Sequence, residues 1–181
     1  SNTPVSNRQG LLPCIRLELL KRLTILSIKK SQMAIFPSTK ARTDTEKSGV
    51  FIKHAEVVYH GIDKEIFHPY RGDDQLNPFK RKYGLGTFIL CVSKMQRYKN
   101  FFELINAFVL PRDRIDNAMQ LVFAGTCFDR HYYNEMKVFL TTHGYDKRAI
   151  FLGNLPYEEL PYLYAACTLL VYPPTCESFG M

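Results

Sequence analysis

Two lysines, Lys94 and Lys99, lie in a polar loop between a short apolar run and a stretch with helical spacing. The run at 88–92 is rich in strand-forming residues, and the apolar residues after the loop recur with the period of an α-helix. Asn100 and Glu103 have the spacing of a capping box, which predicts that the helix begins there. Free backbone N–H groups, the positive end of the helix dipole and two ammonium groups would then converge. The pattern therefore predicts an anion site, most simply for phosphate.

The same loop also fits an ordinary solvated connection. Lysines between a strand and a helix usually face water, and the loop lacks the glycine-rich spacing of a P-loop or a G-x-G-x-x-G site. No histidine stands at a spacing that marks a general base, and the five cysteines include no C-x-x-C pair. We therefore expect buried, reduced thiols and no metal site.

The positive charge of the chain is concentrated at one end. The formal net charge is +7, and residues 1–55 hold ten basic against three acidic side chains, whereas residues 56–181 hold fourteen of each. A nucleic-acid-binding surface over the whole chain is therefore not expected.

A leucine-rich helix is predicted over 11–30. Its basic side chains form either the solvated face of a core-packed helix or a contact for an anionic membrane surface or an acidic acceptor.

In the second part of the chain, apolar runs alternate with stretches of helical spacing. Strands are predicted at 56–59, 88–92, 119–124, 149–152 and 168–172, and helices at 101–110, 129–143 and 158–167, with a charged connection at 70–86. Continuously apolar strands are typical of a parallel sheet covered by helices on both faces. Ligands of such sheets bind beyond the carboxyl ends of the strands. We therefore expect one edge of a Rossmann-like α/β domain to carry Lys94, Lys99, Gly125, Asn154 and the segment after Tyr172.

The chain closes with P-P-T-C-E-S-F-G-M. The two prolines end a strand, and the residues after Cys176 would open a new helix, which stops after its first turn. A final strand without its covering helix is expected of a domain that has been cut. We therefore interpret residues 1–55 as the end of a preceding domain and its connection, and residues 56–181 as an α/β domain truncated at its C-terminus.

These segments, taken in order, resemble the C-terminal, donor-binding half of GT-B glycosyltransferases, specifically the retaining group known as family four or group one. The resemblance rests on V-V-Y-H-G-I-D, on I-L-C-V-S-K-M-Q-R-Y-K-N-F-F-E-L, on L-V-F-A-G-T, and on the block from I-F-L-G-N-L-P to C-E-S-F-G. It covers nearly all of residues 56–181, and it implies an incomplete C-terminal GT-B domain preceded by the tail end of the N-terminal, acceptor-side domain.

The resemblance implies roles for the loop after the strand at 88–92. Lys94 stands where the family normally has arginine, and Lys99 stands at the family's lysine, so both would neutralise the diphosphate of a sugar-nucleotide donor. Lysine keeps the charge of arginine but loses its bidentate geometry. Ser93 replaces the usual glycine, which narrows the space for a donor to approach the backbone.

The resemblance also implies a binding site for the donor sugar at the end of the chain. Glu177 matches the first glutamate of the family's paired-glutamate motif, whose carboxylate accepts hydrogen bonds from sugar hydroxyls. The second glutamate would lie beyond the last residue. Asn154 is a weaker candidate for the edge of the nucleobase. Backbone N–H groups at the new helix would face the donor, namely those of Ser178, Phe179 and Gly180.

The implied reaction is transfer of a sugar from a nucleoside-diphosphate sugar with retention of configuration, without a cofactor or an obligatory metal. Lys94, Lys99 and Glu177 would be its catalytic residues in this chain, since the departing diphosphate needs electrostatic stabilisation. The acceptor would be a saccharide or a lipid-linked molecule, as in polysaccharide biosynthesis. The fragment alone would be inactive or nearly so.

No apolar run is long enough to span a bilayer, and the first residues do not resemble a signal peptide. We therefore expect a cytoplasmic protein. Peripheral contact with a membrane through residues 11–30 stays open. Two other functions also stay open: another GT-B enzyme such as a nucleotide-sugar epimerase, or a non-catalytic nucleotide- or polyanion-binding module.

Overall fold

The computed structural model describes residues 11–69, 72–111 and 114–175. Its contacts divide the chain into two compact units, and the division falls between Gly61 and Ile62. Each unit is an α/β structure with its own parallel sheet. None of the described helices combines the length and the apolar character needed to cross a membrane.

The first unit is built on a two-stranded parallel sheet. Its elements are α1 (Leu11–Lys30), β1 (Ala34–Phe36), α2 (Thr39–Lys47) and β2 (Ala55–Val57). Helix α2 begins after Ser38, whose hydroxyl oxygen accepts a hydrogen bond from the backbone N–H of Ala41 at 3.1 Å. β2 pairs with β1, and the contacts place the residues up to Gly61 in this unit.

The second unit contains a four-stranded sheet with all strands parallel, in the order β5-β4-β3-β6. Its elements are α3 (Asp73–Tyr83), β3 (Phe88–Val92), α4 (Phe101–Val109), β4 (Gln120–Ala124), α5 (Arg130–Thr142), β5 (Ala149–Gly153), α6 (Leu160–Ala166) and β6 (Leu169–Leu170), with 3₁₀ turns at Arg97–Lys99 and Tyr157–Glu159. The predicted α/β class is confirmed. Helix α3 was not predicted, because the sequence interpretation took its charged residues for a connection.

Both faces of this sheet are covered by helices. In β4, Leu121 and Phe123 pack into a cluster with side chains of α4 and α5, and Val122 packs into a second cluster with side chains of α3 and α6. Successive side chains of a strand point to opposite faces, so a strand that is buried on both faces must be apolar at every position. This explains why the strands appear in the sequence as continuous apolar runs.

A polar contact joins α3 to the turn before α6. The Lys82 ammonium donates to one carboxylate oxygen of Glu159 at 2.6 Å, and the Tyr83 hydroxyl donates to the other oxygen. The hydrogen bonds from Lys82 and Tyr83 hold the pKa of Glu159 below its ordinary value of 4.5. A carboxylate whose pKa is lower in the folded state stabilises the fold above its unfolded pKa, and this stabilisation is lost as the pH falls.

We expect Glu159→Gln to flatten the acid side of the stability profile. The free energy of unfolding of the wild type should fall further than that of the variant between about pH 7 and about pH 3, since only the wild type must protonate this carboxylate. Urea unfolding at a series of pH values measures both curves. Parallel curves for the two proteins would show that Glu159 contributes nothing to the acid sensitivity.

Candidate functional site

The carboxyl ends of the strands meet at one edge of the sheet, which we call the rim: the loops that follow β3, β4, β5 and β6. Hydrogen bonds join these loops beyond the strands themselves. The Ser93 N–H donates to the Ala124 carbonyl at 3.0 Å, and the Gly125 N–H donates to the Gly153 carbonyl at 2.7 Å. The structure therefore places Ser93 beside the end of β4, and the end of β5, which precedes the exposed Asn154, lies on the other side of β4.

Gly125 allows two of these loops to approach each other closely. Its φ is +127°, and a Cβ atom placed on it would lie 2.0 Å from the carbonyl oxygen of Ser93. No side chain fits at such a distance, and φ in this region is unfavourable for residues other than glycine. Gly125 therefore sets the spacing between the β3 and β4 loops at the rim.

Lys99 is the buried charged residue of the rim. Its side chain lies at the end of the 3₁₀ turn after β3, and the residue is only 8% exposed. The ammonium lies 5.1 Å from the ring centre of Tyr98 and 5.0 Å from that of Tyr172, and it donates to the Tyr172 hydroxyl at 2.5 Å. Contact with the ring of Tyr98 stabilises a partly desolvated cation. The contact with Tyr172 is made through the hydroxyl and not through the ring face, because an ammonium 2.5 Å from the hydroxyl oxygen and 5.0 Å from the ring centre lies near the plane of the ring. The lysine is thus held close to the end of β6.

The segment after β6 is also fixed to this turn. The Asn100 side-chain amide donates to the Pro173 carbonyl at 2.8 Å. The backbone N–H and the hydroxyl of Thr175 both donate to the Tyr98 carbonyl at 3.0 Å. These bonds bring the chain next to Lys99 at Thr175, two residues before Glu177. The predicted site residues Glu177, Ser178, Phe179 and Gly180 lie outside the described residues.

The predicted capping box at the start of α4 is wrong. Asn100 adopts a left-handed conformation with φ of +55° and makes no side-chain cap, because its amide is directed to Pro173. The N–H of Phe102 instead donates to the hydroxyl oxygen of Tyr132, on α5, at 3.0 Å. Burial raises the pKa of Tyr132, so this hydroxyl stays protonated. The backbone N–H of Phe102, one of the groups expected to face an anion, therefore already has a hydrogen-bond partner within the protein.

The remaining cations of the β3–α4 loop have different environments. Lys94 is exposed. The Arg97 guanidinium lies 4.8 Å from the ring centre of Tyr132, and its Nη2 is 2.9 Å from Oε2 of Glu135, on α5. A charge paired with a carboxylate is partly neutralised, so Arg97 secures the loop to α5. Lys94 and Lys99 are therefore the cations of this loop that we consider as contacts for an anionic ligand.

A cavity of about 560 Å³ opens at the rim beside these loops. It lies over the carboxyl ends of β3, β4 and β5 and the start of α5, and its lining residues include Met95, Thr126, Arg130, Tyr133, Asn134, Phe151 and Gly153. With Phe128, which also lines it, the cavity has three aromatic rings, and these, an arginine and an asparagine suit a flat, polar-edged group such as a nucleobase. Gly153, directly before Asn154, lines it.

A larger cavity, of about 850 Å³, lies at the opposite edge of the sheet, before β4 and β5. Its Arg148 is engaged by the protein itself. The guanidinium donates to the carbonyls of Met119 and Asp116 at 3.0 and 2.7 Å, and it lies against the rings of Phe108 and Tyr145. These contacts secure a loop to the sheet, so the rim remains the better candidate site.

The match to a protein-family model decides the family. The model described as "Glycosyl transferases group 1" matches residues 73–181, which is more than half of the chain. The chain belongs to the group 1 glycosyl transferases. The family model covers every strand of the rim described above.

The chain is also similar to individual glycosyl transferases. It is 26% identical over 163 residues to mannosylfructose-phosphate synthase of Agrobacterium fabrum, a match that covers 86% of this chain and 36% of that protein. It is 32% identical over 107 residues to O-antigen chain mannosyltransferase B of Escherichia coli, covering 58% and 27%. The chain thus spans about a third of the length of these curated relatives.

The fold matches that of solved GT-B glycosyltransferases. The structure of Anabaena HepE, solved in complex with UDP and glucose, superimposes with a TM-score of 0.77 at 22% identity, over 88% of this chain and 43% of that one. This likeness confirms the predicted GT-B architecture.

Sequence reasoning missed the aromatic residues of the candidate site. Tyr172 was taken only as the end of a strand, although a tyrosine at the carboxyl end of a parallel strand is placed to reach the rim. Tyr132 and Tyr133 were read only as helix residues, and Phe151 only as a strand residue. Their spacing carried no motif, because they converge only when the strands and α5 pack together.

The described residues show no metal-binding cluster and no disulfide. No group of three or more His, Cys, Asp or Glu side chains within 11–69, 72–111 and 114–175 could hold a metal ion. Cys91, Cys127 and Cys167 are free thiols. Burial raises the pKa of Cys91 to about 12, even though the Lys99 ammonium acts in the opposite direction, so this thiol stays protonated.

Proposed function

We propose that the whole protein is a retaining glycosyltransferase and that this chain binds its nucleoside-diphosphate sugar donor. The proposal rests above all on Lys99, a buried ammonium at the rim of a parallel sheet in a group 1 glycosyl transferase. A fixed cation in a partly desolvated site stabilises a developing diphosphate charge far better than a cation in water. Lys99 and Lys94 bind the diphosphate, and Glu177 binds the sugar.

The cavity over β3, β4 and β5 is the proposed place for the nucleobase. It opens at the same rim as Lys99, and its aromatic and polar lining suits a base. The structure of HepE, which has a similar fold, was solved with UDP, and this supports a nucleotide donor. Ser93 and Asn154 border the donor, and the backbone of Ser178, Phe179 and Gly180 faces it. No metal or other cofactor takes part in this proposal.

The acceptor side lies outside the α/β domain in this proposal. Residues 1–55 are the end of an acceptor-side domain, and the acceptor is a saccharide or a lipid-linked molecule of polysaccharide biosynthesis, as the name of the O-antigen relative suggests. In helix α1, Leu19, Leu23 and Leu26 are about half exposed beside several basic side chains, which supports contact with an anionic membrane from the cytoplasmic side. Sedimentation with anionic and with neutral vesicles tests this contact.

A donor panel tests the proposed activity. The whole protein is incubated with UDP-, GDP- and other nucleoside-diphosphate sugars in the presence of EDTA, and the products are followed by NMR. We expect release of one nucleoside diphosphate, with the transferred sugar keeping its anomeric configuration. Epimerised sugar nucleotide would identify an epimerase instead, an inverted product would refute retention, and binding without turnover would indicate a non-catalytic module.

A further inference from the structure

Tyr172 approaches Lys99 from a distant part of the chain. The tyrosine follows β6, whereas the lysine ends the turn after β3, and the two strands are neighbours in the sheet. The Lys99 ammonium donates to the Tyr172 hydroxyl at 2.5 Å and lies 5.0 Å from the centre of the same ring. The ring centre of Tyr98 lies 5.1 Å from the ammonium.

We propose that Tyr172 is a positioning residue for Lys99, acting on the donor through the lysine. Its hydroxyl holds the ammonium at the rim before the diphosphate arrives. This inference rests on the proposed function, in which Lys99 contacts the donor diphosphate. It adds a role for a residue that no motif marks.

A neutral partner is what this role requires. A phenolic hydroxyl accepts the hydrogen bond and orients the ammonium without bringing the opposite charge that a carboxylate would bring.

Positioning also reduces the cost of binding. A free lysine side chain samples many rotamers, and this freedom is lost when the ammonium contacts a ligand. The Tyr172 hydroxyl and the Tyr98 ring confine Lys99 in advance, so less freedom remains to be lost. Removing the hydroxyl should therefore weaken binding of the diphosphate, although the lysine itself is unchanged.

A purely structural role for Tyr172 is the competing explanation. The segment after β6 is also fixed by Asn100 at Pro173 and by Thr175 at Tyr98, so Tyr172 could simply support this connection. The two explanations differ in one respect. A positioning residue has no effect on the diphosphate once Lys99 is absent, whereas a structural residue disturbs the site whether Lys99 is present or not.

A double-mutant cycle tests the proposal. The affinities of the whole protein for UDP and for GDP are measured by calorimetry in the wild type, Tyr172→Phe, Lys99→Met and the double variant. Phenylalanine keeps the ring and removes only the hydroxyl. We expect Tyr172→Phe to weaken binding about tenfold and to have no further effect in the Lys99→Met background. Tyr145→Phe, a buried tyrosine at the opposite edge of the sheet, is the matched control and should change nothing.

The remaining outcomes separate this inference from the proposed function. If Lys99→Met weakens binding but Tyr172→Phe does not, or if the two effects simply add, the positioning role is refuted while the donor site stands. If Lys99→Met leaves both affinities unchanged, the proposed diphosphate contact fails and the positioning role with it. Thermal unfolding of each variant gives its Tm. The affinities are measured well below that temperature, so that the compared proteins are folded.

Discussion

Replacing Lys99 by methionine should lower the turnover number of the whole protein by a factor of about 10²–10³. Lys99 is buried, and its ammonium is held at the rim by the Tyr172 hydroxyl and beside the ring of Tyr98. Methionine has a similar length and is apolar, so it fills the same buried space without the charge. The loss should therefore fall on stabilisation of the departing diphosphate.

Steady-state kinetics with the donor selected by the panel measures this effect, and urea unfolding of the variant shows that the fold is intact. Lys147→Met is a matched control, because that exposed lysine lies between α5 and β5, at the other edge of the sheet. Near-normal turnover in Lys99→Met, with the fold intact, would contradict the assignment of the rim as the donor site.

Replacing Gly125 by alanine should destabilise the α/β unit by at least about 3 kcal/mol. Two costs combine at this position. The backbone conformation at φ of +127° is strained for alanine, and the new Cβ would lie 2.0 Å from the carbonyl oxygen of Ser93. That neighbour is a backbone atom in a loop anchored to β4 through the bond from Ser93 to Ala124, so it cannot move aside without disturbing the sheet.

Gly144→Ala is the matched control for this effect. Gly144 also has a positive φ, of +77°, but open space surrounds the position of its Cβ. It should therefore cost only the backbone strain, about 1–2 kcal/mol. The free energy of unfolding from urea titrations measures both variants. Equal losses in the two variants would show that the close approach of the Ser93 loop contributes nothing.

The sheet was predictable because its strands are buried on both faces. β3 and the last four residues of β4 appear in the sequence as uninterrupted apolar runs, and their short length and strand-forming residues favour a strand buried on both faces. Helix α3 was missed for the opposite reason. Phe79 is its one buried side chain among those described, and Pro78 interrupts the helical pattern, so tertiary contacts with α6 decide its conformation.

The site was predictable in its location and less so in its detail. Parallel strands bring their carboxyl ends to one edge whatever the side chains are, which is why Lys99 and Ser93 could be placed at the rim from the sequence. The capping box failed because a contact from a distant residue overrides a local preference: Asn100 bonds to Pro173, and Tyr132 takes over as the acceptor at the helix start. Such contacts between distant residues carry no local signal.

Asn100 has a further consequence for efforts to make this enzyme more heat-resistant. It is the one described non-glycine residue with a positive φ, a conformation in which glycine is the usual stabilising replacement. Yet glycine would remove the amide that joins the turn of Lys99 to Pro173, the stretch leading towards Glu177. An engineer who replaces Asn100 with glycine should therefore expect to lose the link between this turn and the segment after β6.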